Sequence, residues 1–216
     1  MATLKLGSRG KEVKELQRAL FLLEDGVFGK NTLEAVLTFQ RENHLKEDGI
    51  VGEKTWEVIK AKQQADSSSL KRSQRRIDEI IIHCSATPEG KDYTVDKIRE
   101  WHTKPVSKGG RGWSDIGYHY IIYRDGSVHE GRNVNIAGAH CTNHNAHSIG
   151  ICYVGGCEAT NVKKSKDTRT KEQRKALLEL LRELRSLYPK AKIYGHRNFA
   201  AKDCPSFDAK TEYKNI

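Results

Sequence analysis

Apolar side chains recur at three- and four-residue intervals early in the chain, at Val13, Leu16 and Leu20 with Gln17 on the same stripe, and again at Val36, Leu37 and Phe39 beside Gln40. That spacing lines one face of a helix. A ten-residue phrase then occurs twice: Asp25-Gly26-Val27-Phe28-Gly29-Lys30-Asn31-Thr32-Leu33-Glu34 returns as Asp48-Gly49-Ile50-Val51-Gly52-Glu53-Lys54-Thr55-Trp56-Glu57. In each copy Asp-Gly and a second Gly suit a turn that needs positive φ, and the Thr stands where a helix would open. The pattern predicts turn then helix, twice, and a small three-helix domain within residues 1–62.

After Ile59 the stretch KAKQQADSSSLKRSQRR loses its apolar period and gains Ser, Gln and basic residues. It predicts a solvated linker at 63–76 ahead of a second domain at 77–216. There the apolar run Ile77 to Ile82 predicts a buried strand, with Tyr118 to Tyr123, Ser148 to Val154 and Lys192 to Gly195 as three more. Thr94 opens a helix with Val95, Ile98 and Trp101 on its apolar face. Thr170 and Gln173 form a capping box for another, which carries Ala176, Leu177, Leu180, Leu181, Leu184 and Leu187 and ends at Pro189. Strands alternating with helices predict an α/β domain with a central mixed β-sheet flanked by helices.

Composition narrows the class. The chain of 216 residues is 37% hydrophobic and 31% charged, and no run approaches the roughly 18 apolar residues of a membrane span. The opening MATLKLGSRGKEVKELQ has no apolar segment behind a basic one, so synthesis in a cytoplasm without a signal peptide is expected. Five cysteines at irregular spacing argue against a disulfide framework. The net charge of +10 is unevenly placed: 11 basic residues against 10 acidic in 1–62, 4 against 1 in 63–76, and 23 against 17 in 77–216. A basic balance favours polyanions in general and does not choose among nucleic acid, anionic lipid and cell wall.

Candidate chemistry comes from strand ends. His83 follows one predicted strand and His196 another, and Cys204 lies in the loop GHRNFAAKDCPSFD close enough to fold back. Two imidazoles and a thiolate would give zinc three protein ligands and leave a fourth position for water, as in catalytic sites. A core or surface role for each residue competes with that reading.

The second part resembles the zinc-dependent N-acetylmuramoyl-L-alanine amidases of the type 2 family, which includes phage endolysins and is related to peptidoglycan-recognition proteins. The resemblance is carried by IIIHCSAT at 80–87, IREWH at 98–102, GWSDIGYHYIIYRDG at 112–126, GRNVNIAGAH at 131–140, NAHSIGICYVGG at 145–156 and GHRNFAAKDCPSFD at 195–208. The first part resembles a peptidoglycan-binding domain in GSRGKEVKELQ at 7–17 and in the doubled DGxxG turn. The resemblance implies one Zn2+ on His83, His196 and Cys204, catalytic roles for Tyr118 and Lys202, and the muramyl-peptide of peptidoglycan as substrate. His140 and Asn145 flank the expected cleft and are candidate substrate contacts. No glutamate base is evident, so proton transfer falls to the zinc-activated water with Tyr118 assisting.

The segment LFLLEDG shortens a loop of the binding domain, and CEATNVKKSKDTR at 157–169 matches no motif and is expected to be a variable surface loop. Cys84 and Cys152 read as small core residues, His119 as pointing away from Tyr118, His102 as a helix-end residue, and His129, His144 and His147 as surface or structural. A recognition protein without hydrolysis is what the fold becomes when the cysteine ligand is lost, and Cys204 argues against it. A nucleic-acid binder rests on charge alone, with no aromatic-basic platform. The expectation is a monomeric wall hydrolase, neither membrane-inserted nor bound to nucleic acid, that reaches the wall after release from the cytoplasm.

Overall fold

The computed structural model describes residues 2–20, 22–65 and 70–216 and separates into two compact units, Met1–Ser69 and Leu70–Ile216. The first unit holds α1 (Lys11–Ala19), α2 (Lys30–Glu42) and α3 (Glu53–Ala65). Leu4, Val13, Leu16, Phe28, Val36, Val51, Trp56 and Ile59 form its core. The repeat has a physical basis in two glutamines. Gln17 donates to the Asp25 carboxylate at 2.6 Å and to the Val27 carbonyl at 3.0 Å, and accepts from Gly26 N at 2.8 Å. Gln40 does the same to Asp48 at 3.1 Å, Ile50 at 3.0 Å and Gly49 at 2.9 Å. Gly26 and Gly49 sit at φ 75 and 68, where a side chain would be strained. Both helices open at the second glycine of the phrase, before Thr32 and Thr55; those threonines are buried and turn inward onto the glutamines.

The second unit carries β1 (Glu79–Cys84), β2 (Thr87–Pro88), α4 (Val95–Thr103), β3 (Tyr120–Ile122), β4 (Val128–Glu130), β5 (Ser148–Tyr153), β6 (Gly156–Cys157), α5 (Lys171–Leu187), β7 (Lys192–Gly195) and α6 (Ala209–Glu212). The main sheet runs β4-β3-β5-β1-β7, with β3, β5, β1 and β7 parallel and β4 antiparallel at one edge. β1 and β5 are central, so both faces are covered and Ile80, Ile81, Ile82, Ile149 and Ile151 are all fully buried. This is why they read as continuous apolar runs. All four strands read from the sequence are present; β1 is displaced by two residues toward the C-terminus, so His83 lies within the strand and not after it. β3 is shorter than expected, and Tyr118 precedes it.

Thr94 and Thr170 cap α4 and α5 as predicted, the latter in a full capping box. Gln173 of that box also donates to the carbonyls of Ile122 at 3.2 Å, the last residue of β3, and of Val154 at 3.0 Å, the residue after β5. The segment read as linker does not behave uniformly. Residues 66–69 lie outside the described residues, while Ser73 and Arg75 are held on the second unit: Ser73 N donates to the Tyr188 hydroxyl at 2.6 Å, and the Arg75 guanidinium donates to the carbonyls of Val134 and Ser148 at 2.8 and 3.1 Å. The stretch 157–169 is exposed over most of its length but ends on Arg169, whose buried guanidinium pairs with Asp167 and Glu212 and covers the Phe207 ring.

Candidate functional site

His83 is the fifth residue of β1, and its ring is 1% exposed. β7 runs parallel to β1 and ends at Gly195, so the next residue, His196, emerges beside His83; their ring centroids are 4.6 Å apart. Cys204 returns on a loop tied at several points. Arg197 N donates to the Cys204 carbonyl at 2.7 Å, the buried Tyr153 hydroxyl donates to the Pro205 carbonyl at 2.7 Å, and Ser206 Oγ donates to the Gly156 carbonyl at 2.9 Å. The Cys204 sulfur accepts from Cys84 N at 3.3 Å and stands 3.7 Å from His83 Nδ1. One ligand atom from each of His83, His196 and Cys204 falls within 4.8 Å of the others.

The donor set suits zinc. Tetrahedral bonds of about 2.05 Å to nitrogen and 2.3 Å to sulfur place those two ligand atoms roughly 3.6 Å apart, and the observed separation is 3.7 Å. Burial holds both imidazoles below their usual range, strongly for His83, with the Lys202 charge acting in the same direction on each. Both are therefore neutral and have a free lone pair. A hydrogen bond with the Cys84 side chain, together with burial, pushes the Cys204 thiol up; a coordinated cation reverses that preference, because a thiol bound to a metal loses its proton.

Tyr118 comes off the start of β3 with its ring 5.2 Å from that of His83 and 5.4 Å from that of His102. Desolvation raises its phenol well above the ordinary value, so it is a hydrogen-bond donor at neutral pH. His102, read from sequence as a helix-end residue, supports this position: its Nδ1 accepts from Gly117 N at 3.1 Å, and burial lowers it to about 4, keeping it neutral. Lys202 is exposed on the Cys204 loop, two residues before the ligand.

His140 and Asn145, the candidate substrate contacts, have partners within the chain. His140 is 7% exposed, and its Nδ1 stands 3.0 Å from His83 Nε2. Asn145 Oδ1 accepts from the backbone N of His140 at 2.8 Å and of Cys141 at 2.9 Å. His140 is buried, while Asn145 is half-buried and binds its own loop. Cys152 is buried as expected, and Cys84 is buried but also touches the site through its backbone N–H. A second group, Glu79, His144 and His147, also brings its ligand atoms within 4.8 Å. Here Glu79 Oε2 is 2.8 Å from His144 Nδ1, so the donors satisfy one another by hydrogen bonding.

Residues 73–207 match the family model of N-acetylmuramoyl-L-alanine amidase, and residues 9–59 match that of a peptidoglycan binding domain. The endolysin of Enterobacteria phage K11 is 42% identical over 135 residues, which is 62% of this chain and 84% of that protein. Among solved structures, N-acetylmuramoyl-L-alanine amidase LysC from Clostridium intestinale superposes with a TM-score of 0.51 at 28% identity, over 64% of this chain and 82% of its own. Wild-type Drosophila PGRP-LB gives 0.53 at 27% identity, over 68% and 85%.

Proposed function

The chain belongs to the N-acetylmuramoyl-L-alanine amidase family, and from that premise we propose that it is a zinc-dependent phage-type endolysin that hydrolyses the amide between N-acetylmuramic acid and L-alanine of the stem peptide. The observation that carries the zinc-dependent reading is the convergence of two neutral imidazoles and one thiol from β1, β7 and the following loop. When bound there, zinc would lower the pKa of a water to about 7 and polarise the scissile carbonyl.

The chain's own residues supply the rest. The protonated Tyr118 phenol donates a hydrogen bond to the oxygen on which negative charge grows, and it is positioned to do so by His102 and the ring of His83. Lys202, on the Cys204 loop, brings a positive charge near enough to act on His83 and His196. The alternative of recognition without hydrolysis is disfavoured by Cys204, which keeps the third ligand in place.

Digestion of purified sacculi followed by mass spectrometry tests the reading. Free glycan carrying lactyl carboxylates and peptides beginning with L-Ala are expected; new reducing sugar ends or split peptides would overturn it. The doubled-turn unit, 1–62, is proposed to hold the enzyme on the wall as a monomer after release from the host cytoplasm. Removing residues 1–70 is expected to leave the rate on short muramyl-peptides unchanged while lowering that on sacculi, because tethering raises local substrate concentration without touching the chemistry. Equal loss on both substrates would mean that the first unit contributes to catalysis.

A further inference from the structure

We propose that His140 and Ser148 form a proton-ordering chain that fixes the tautomer of His83 and so presents its Nδ1 lone pair to the metal. This rests on the zinc reading above. The far end of the chain sets its order. Ser148 Oγ donates to the His144 carbonyl at 2.7 Å, and a carbonyl can only accept. With its single proton committed there, Ser148 Oγ must accept from His140 Nε2, 3.3 Å away. His140 is 7% exposed, and an imidazole shut away from water keeps a single proton, so a proton on Nε2 leaves Nδ1 bare. That bare nitrogen faces His83 Nε2 at 3.0 Å, so His83 carries its proton on Nε2. The remaining lone pair, on Nδ1, is the one that points at Cys204.

The fold is cut to seat this ring. A methyl group at Gly150, in the middle of β5, would come within 2.5 to 2.7 Å of three atoms of the His140 imidazole, and one at Gly138 would overlap the same ring. Asn145 fixes the backbone at His140 and Cys141 through its carboxamide oxygen. Two missing side chains and a clamped backbone place His140 as a positioning residue, with no free nitrogen to offer a substrate.

The test has two readings, the His83 tautomer and the affinity for zinc. In the metal-free protein, nitrogen-detected imidazole spectra are expected to show His83 as the Nε2–H form alone. His140→Leu fills similar space but accepts nothing; it is expected to mix the His83 tautomers and to weaken zinc binding, read by chelator competition, by about 10- to 100-fold, the usual effect of losing an outer-shell partner. His140→Gln keeps an acceptor oxygen and should recover most of that loss. Ser148→Ala removes only the terminal oxygen and should cost about 10-fold.

Wild-type zinc affinity with an unchanged His83 tautomer in folded His140→Leu would overturn the proposal, as would a wild-type His83 protonated on Nδ1. If His140→Leu does not fold, the same two readings on Ser148→Ala decide the matter. Failure of the wild type to take up zinc would remove the functional reading, while the metal-free spectra would still settle the chain.

Discussion

His83→Ala, His196→Ala and Cys204→Ser are each expected to lose bound zinc and amidase turnover together, leaving activity at the assay background. Each variant removes one of the three proposed protein ligands, and two would be too few to hold the ion at ordinary free concentrations. The loss should exceed the roughly 10- to 100-fold that follows removal of an outer-shell partner. Metal content by atomic emission and turnover on sacculi are measured on the same preparations. A variant that kept one zinc per chain and normal turnover would remove that residue from the ligand set. Chelation of the wild type should also lower the melting temperature, since an ion held at about 1,000 times its Kd contributes roughly 4 kcal/mol to the folded state.

The second large effect separates catalysis from metal binding. Tyr118→Phe and Lys202→Ala are expected to retain full zinc and near-normal KM while kcat falls about 100- to 1,000-fold, roughly 2.7 to 4 kcal/mol, the usual cost of one oxyanion donor. A fall in kcat with KM unchanged marks an interaction made in the transition state and absent from the bound substrate. Tyr118→Phe removes only the hydroxyl and leaves the ring that packs near His83 and His102. Lys202→Arg keeps the charge but spreads it over a planar fork, and it should recover only part of the loss. Wild-type turnover in either zinc-loaded variant would assign that residue a structural role.

Strand positions were legible where both faces of the sheet are covered, because burial on both sides leaves no polar alternation: the runs at 80–82 and 149–151 are of this kind. The capping residues Thr94 and Thr170 were legible because a cap is a local matter of a hydroxyl and a backbone N–H a few residues away. The short strands β2, β4 and β6 were not, since two or three residues carry no period. In the candidate site, placement at strand ends drew attention to His83 and His196, and motif resemblance singled out Tyr118 and Lys202. The seat of His140 depends on the room left at Gly138 and Gly150, and the placing of Asn145 on its hydrogen bonds to the backbone of His140 and Cys141, neither of which the spacing in the chain reveals. Asn145 illustrates the general difficulty: from sequence, a polar side chain in a cleft loop looks the same whether it holds a ligand or its own backbone.

The paired glutamine clasps bear on the order in which the molecule is made. Gln17 and Gln40 reach partners only 8 to 15 residues ahead, so each clasp can close as soon as its own turn has left the ribosome. The parallel sheet must wait: β1 pairs with β7 across more than a hundred residues, and the site stays open until the loop bearing Cys204 has been synthesised. Contacts so close in sequence form early, and contacts so distant form late. The first unit is therefore expected to be finished while the hydrolase is still incomplete, so catalytic competence arrives only once the loop bearing Cys204 has been made.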